Sequence, residues 1–159
     1  MNSYKYIDLF AGAGGLSLGF GDQNFHLQFA NDFGKEEIKT FKSNLKKTHP
    51  ETSVDNIISG DIRKLSMFLS RDDLDIPQLD SIVNEINISL DKKESSYDFN
   101  YYEKIKNFFS GIDSTDVIVG GPPCQGFSII NKTRRQNGVS YGIDYFDPRN
   151  DLYLYFMTF

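Results

Sequence analysis

The chain holds one cysteine, Cys124, within Gly120-Gly121-Pro122-Pro123-Cys124-Gln125-Gly126-Phe127-Ser128. The thiolate of cysteine is a nucleophile. A cysteine kept for packing sits more often inside an apolar strand or helix, as a small hydrophobe. Cys124 instead follows two glycines, which let the chain turn, and two prolines, which fix φ and keep the residues before them out of helix. That pattern presents a sulfur stiffly at a strand end, as a nucleophile requires. The histidines are His26, in a strand-like run, and His49, before Pro50. Both read as structural or surface residues, so neither a protease-type dyad nor a metal site is expected.

A second set of residues suits a ligand. Gly12, Gly14 and Gly15 follow a strand-like segment directly, and their backbone can approach a bound group closely. Asp32 comes about 20 residues after Gly12, the distance at which an acid meets ribose hydroxyls. Asp61 ends a further short strand, where a carboxylate can accept from an exocyclic amine. Together these outline a pocket for an adenosine-containing ligand. Each residue also has a plainer reading. The glycines can be a tight turn, Asp32 a cap for the helix after it, Asp61 a cap for the turn after its strand. Phe10 can be core and Phe33 a surface aromatic.

The elements that position these residues alternate. Strands are expected over 4–10, 25–30, 56–60 and 116–120, the last an apolar run of the buried parallel type. Leu16, Leu18 and Phe20 belong to a helix after the glycines. A second helix over 35–44 places Ile38, Phe41 and Leu45 on one face. Strand–helix alternation predicts a parallel sheet with helices on both faces and ligands beyond the strands' carboxyl ends. A helical insertion interrupts the rhythm at about 63–115, with Leu79, Ile82, Val83, Ile86 and Leu90 at helical spacing.

The 159 residues carry a net charge of −5, with 39% hydrophobic and 25% charged residues, which excludes a disordered tail or a fibre. No stretch is apolar enough to span a membrane, and the start at Met1 reads as no signal peptide. A lone cysteine forms no internal disulfide, which fits a reducing, cytoplasmic setting. Residues 61–116 hold 7 basic and 12 acidic side chains and account for the acidic excess. The basic cluster is Lys132-Thr133-Arg134-Arg135, a solvated face or a phosphate contact.

Asp8-Leu9-Phe10-Ala11-Gly12-Ala13-Gly14-Gly15-Leu16, taken with Gly-Gly-Pro-Pro-Cys-Gln-Gly-Phe-Ser at 120–128, resembles the cytosine-5 DNA methyltransferases. Asn31-Asp32, Gly60-Asp61-Ile62 and Asp147-Pro148-Arg149-Asn150-Asp151-Leu152 resemble further family motifs in the same order, although the family more often has Glu at Asp32. The resemblance implies a Rossmann-like S-adenosylmethionine-dependent methyltransferase fold, here a truncated catalytic domain over 1–159. It implies S-adenosylmethionine as cofactor, held by Phe10, Ala11, Gly12, Gly14, Gly15, Leu16, Asp32, Phe33, Asp61, Ile62 and Pro123. It makes Cys124 the nucleophile that attacks carbon 6 of a cytosine flipped out of the duplex. Gln125, Ser128, Lys132, Arg134 and Arg135 become DNA contacts on a mobile catalytic loop over 126–146.

The resemblance further implies DNA as partner and a role in a restriction-modification system. The family's Glu-Asn-Val and Arg-x-Arg segments, its target-recognition domain and its final helix have no counterpart in 1–159. The chain is accordingly expected to be a fragment, a truncated frame or one subunit of a split enzyme with a second chain. Three other readings stand beside it: an RNA cytosine-5 methyltransferase, a non-catalytic S-adenosylmethionine-binding partner subunit, and a small-molecule methyltransferase. The last explains the glycines but not Pro122-Pro123-Cys124.

Overall fold

The computed structural model describes residues 3–21, 23–63, 65–66, 105, 108–109, 111–123 and 151–159. Its strands are β1 (Tyr4–Leu9), β2 (Phe25–Asp32), β3 (Ile57–Ser59) and β4 (Val117–Gly120). Its helices are α1 (Gly15–Gly21), α2 (Lys35–Thr48) and α3 (Leu152–Phe156). The strands are rich in β-branched and aromatic residues, which pack well on a pleated surface. Helix α2 has Glu36 and Glu37 in its first turn and Lys46 and Lys47 in its last, which complements the helix dipole at both ends.

All strand pairs are parallel, in the order β3-β2-β1-β4. The chain steps outward from β1 to β3, then returns to lay β4 on the other side of β1. This reversal between β1 and β4 is a topological switch point, where open parallel sheets bind ligands beyond the strand ends. Apolar side chains alternate across the sheet. Ile7, Leu9 and Phe29 pack on one face with Ile62, Leu65 and Ile105, and Phe108, Phe109, Leu152, Tyr155 and Phe156 close over them. Ala11, Ala30 and Ile57 pack on the other with Ile38, Phe41 and Leu45 of α2. Helical residues therefore cover both faces, the α/β architecture expected from the sequence.

Element boundaries shift for local reasons. Strand β1 stops at Leu9, one residue early, because Phe10 takes a left-handed φ of 57°. Strand β2 runs two residues further, to Asp32, because buried Asn31 finds an acceptor in the Gly60 carbonyl at 3.2 Å. Helix α2 continues to Thr48, and the His49 amide donates to the Leu45 carbonyl at 2.7 Å. Within the 63–115 interval, residues 63, 65–66, 105 and 108–109 are helical, and 64, 67–104, 106–107 and 110 lie outside the described residues.

One polar joint lies under this fold. Asp8 is fully buried on β1, facing α1, where the Ser17 hydroxyl donates to Asp8 Oδ2 at 2.6 Å. The neighbouring Tyr6 hydroxyl donates to the Ser17 carbonyl at 3.2 Å, and its ring stacks on Phe20 at 5.1 Å between centroids. Asp8 Oδ1 is buried without a partner. Burial pushes the Asp8 carboxyl up to about 6, the Ser17 hydrogen bonds oppose the shift, and the charge of Asp32 adds to it. An acid whose folded value exceeds its unfolded value holds its proton more tightly when folded. Its contribution to stability is present below about pH 4 and is lost as the pH rises through 6. Asp8→Asn, which keeps the acceptor for Ser17, is therefore expected to be more stable than the parent by about 1–3 kcal/mol at pH 7.5. Urea titrations at pH 7.5 and pH 3.5 check this, and a gap of equal size at both would contradict it.

A second prediction concerns Gly14, whose φ is 87°. A Cβ built there would stand 2.1 Å from Phe41 Cδ2, inside the core of α2. Gly14→Ala must displace that ring and strain the backbone, at a cost of about 2–4 kcal/mol, read as a lower urea midpoint.

Candidate functional site

Because every described strand runs the same way, their carboxyl ends share one edge. Phe10, Asp32, Gly60 and Gly121 are the first or last residues at that edge. The turn after β1 is built by backbone geometry. Phe10 and Gly12 have φ of 57° and 55°, and the Gly14 amide closes on the Ala11 carbonyl at 2.9 Å. A left-handed phenylalanine costs about 1–2 kcal/mol, and such outliers persist where surrounding structure holds them. Here the Ala11 amide is tied to the Asn31 carbonyl at 3.0 Å.

Asp32 organises the turn. Its Oδ2 accepts the Gly12 amide at 2.8 Å and its Oδ1 accepts the Gly34 amide at 2.8 Å, ahead of α2. The helix cap position itself is Gly34. Asp32 is thus a bridge between the glycine turn and the start of α2, with further lone pairs for a ligand hydroxyl. Its own carbonyl accepts the Gly60 amide at 2.8 Å, which ties in the end of β3.

A Cβ on Gly12 would meet nothing within 4 Å, in contrast to Gly14. Leu16 and Phe33 expose 48% and 53% of their surface, next to Gly15 and Asp32 respectively. An open glycine flanked by exposed apolar side chains can receive a flat, partly apolar group such as a nucleoside. The remaining expected contacts are less open. Ala11 and Ile62 are buried in the two cores, Phe10 is half-buried against the first, and Gly14 is buried under Phe41. Asp61 is buried and bound by Arg63.

Strand β4 delivers the other wall. A Cβ on Gly120 would lie 2.2 Å from the Leu9 carbonyl oxygen and 2.9 Å from Phe156 Cε2. Glycine is needed there for β4 to lie against β1 and α3 at once. Gly121 follows exposed, then Pro122 and Pro123 half-buried. Cys124, Gln125, Ser128, Lys132, Arg134 and Arg135 lie outside the described residues. Sequence reasoning missed Asp8, Ser17 and Arg63. An acid inside the apolar run Tyr6-Ile7-Asp8-Leu9 and an arginine two places after Asp61 were the available signals.

Comparison with known proteins matches residues 4–84 and 83–156 to the family of C-5 cytosine-specific DNA methylases. The type II methyltransferase M.NgoPII of Neisseria gonorrhoeae is 31% identical over 96% of this chain and 28% of its own length. M.AgeI of Thalassovita gelatinovora is 30% identical over 98% of this chain and 24% of its own length. The crystal structure of a DNA modification methyltransferase encoded within an E. coli prophage superposes with a TM-score of 0.50 at 27% identity, over 97% of this chain and 27% of that one. The chain thus spans about a quarter of the length of the relatives it matches. With the motifs at the β1 and β4 ends and a match along nearly its whole length, the chain belongs to the C-5 cytosine-specific DNA methylase family.

Proposed function

We propose that this chain carries the cofactor pocket and the nucleophile of a DNA cytosine-5 methyltransferase in a type II restriction-modification system. The observation that supports this is the pairing of β1 with β4 across the switch point in a chain of this family. One strand runs into the glycine turn, and the other into Gly-Gly-Pro-Pro-Cys.

S-adenosylmethionine, when bound, supplies the methyl group as a sulfonium. Gly12 would leave room for it, Leu16 and Phe33 would flank its base, and Asp32 would accept from its ribose. Gly15 and Pro123 would line it, and Phe10, Ala11, Gly14 and Ile62 would support it from the cores beneath. Carbon 5 of cytosine is a poor nucleophile by itself. Addition of the Cys124 thiolate to carbon 6 would move an electron pair to carbon 5, which could then take the methyl group as its bond to the sulfonium sulfur breaks, with S-adenosylhomocysteine as the leaving group. Loss of the carbon 5 proton to a base lets the thiolate leave, and the ring double bond returns. The target carbon is out of reach inside a duplex, so the base must be flipped out. Gln125 and Ser128 lie beside the nucleophile in sequence, and Lys132, Arg134 and Arg135 offer charge to the phosphates. Holding the flipped base and reading the surrounding sequence are assigned to polypeptide outside these residues, on the same or a second chain.

A duplex bearing 5-fluorocytosine tests the chemistry, because fluorine cannot leave carbon 5 as a proton does. With S-adenosylmethionine present, the chain together with the polypeptide that holds the flipped base is expected to form an adduct that survives denaturing gel electrophoresis, and Cys124→Ser in the same mixture none. An adduct of equal yield in the variant would refute the role of the sulfur. The pocket has its own test in Gly12→Ala, whose cost in stability is about 1–2 kcal/mol from φ alone. Calorimetry is expected to show S-adenosylhomocysteine binding weakened by roughly tenfold or more, and unchanged binding would remove Gly12 from the site.

A further inference from the structure

Asp61 is 4% exposed, and its carboxylate contacts among the described residues are all with Arg63. The Arg63 backbone amide donates to Oδ1 at 3.0 Å. Its Nε is shared between Oδ1 at 2.9 Å and Oδ2 at 3.0 Å, and its Nη2 donates to Oδ2. A carboxylate offers about four lone-pair sites. Three N–H groups of one residue therefore engage both oxygens of Asp61. The guanidinium is the more exposed partner, at 12% against 5% for the Asp61 side chain. Both side chains are thus largely enclosed, with the guanidinium paired against the carboxylate.

We propose that Arg63 is a latch on the cofactor pocket, which an adenine amino group must displace to reach Asp61. The inference rests on the reading of this edge as a pocket for an adenosine-containing cofactor. Asp61 follows Gly60, whose amide is bonded to the Asp32 carbonyl, so it stands at the same edge as the glycine turn. A base amine there competes with the guanidinium for the same two oxygens. The apparent affinity for the cofactor is reduced by the fraction of molecules in which the latch is closed. Arg63 is thus an affinity-setting residue that acts through Asp61, and it makes the pocket selective, since only a ligand with a donor at that position gains from opening it.

The test compares the full chain with Arg63→Gln and Arg63→Lys by calorimetry, using S-adenosylhomocysteine and its inosine analogue, which carries a carbonyl in place of the amine. Arg63→Gln is expected to bind the adenosyl ligand about tenfold tighter. Arg63→Lys, which keeps the charge but loses the two-pronged contact, is expected to fall between it and the parent. Neither variant is expected to gain for the inosine analogue. If Arg63→Gln fails to fold, Arg63→Lys carries the comparison alone. Equal gain for both ligands, no gain, or weaker binding would overturn the latch. Failure of the parent chain to bind S-adenosylhomocysteine at all would instead overturn the reading of the pocket.

Discussion

The two hydrogen bonds of the Asp32 carboxylate, to the amides of Gly12 and Gly34, are the constraint around which the edge of the sheet is arranged. A turn with left-handed residues at Phe10, Gly12 and Gly14 does not hold its shape by propensity. It needs partners for its amides, and a charged acceptor roughly doubles the strength of such bonds. The same residue ties the start of α2 to the turn and, through its carbonyl, the end of β3. Turn, helix and third strand are thereby fixed relative to one another by a single side chain and its backbone.

The polar groups beneath this edge follow a graded logic. Asp61 is buried with its charge met by Arg63. Asp32 is half-buried and met by backbone amides. Asp8 is buried deepest and met by a neutral hydroxyl at one oxygen only. Its carboxyl is accordingly pushed up by burial. Buried polar atoms without partners are uncommon, and each one in a native fold calls for a reason.

Close approach is the other theme. Gly14 makes room for the Phe41 ring, and Gly120 for the Leu9 carbonyl and Phe156. A Cβ on Gly12 would meet no atom of the described residues within 4 Å. Neighbouring glycines thus differ: Gly14 admits packing, whereas Gly12 and Gly15 leave an open side among the described residues. An interior is close-packed, so an open side at a turn otherwise held this firmly is informative about what it receives.

Periodicity and residue type determined much of this protein. The alternation in Tyr6-Ile7-Asp8-Leu9, the apolar run at Val117–Gly120 and the spacing of Ile38, Phe41 and Leu45 made the strands, α2 and its buried face legible, because each depends on neighbours near in sequence. The glycine turn was legible for the same reason. The sequence left Asp32 and Asp61 each open between a cap and a ligand contact, and only the tertiary structure showed how their oxygens are spent. Asp32 bonds across to Gly12, which no local pattern announces, and Asp61 is enclosed by Arg63. Ser17 turned inward while Leu16 stayed out, against the apolar pattern of α1, because buried Asp8 needed a donor. Hydrogen-bond partners are chosen by what folding brings within 3 Å of an atom. That is a property of the assembled sheet, and one-dimensional spacing does not contain it.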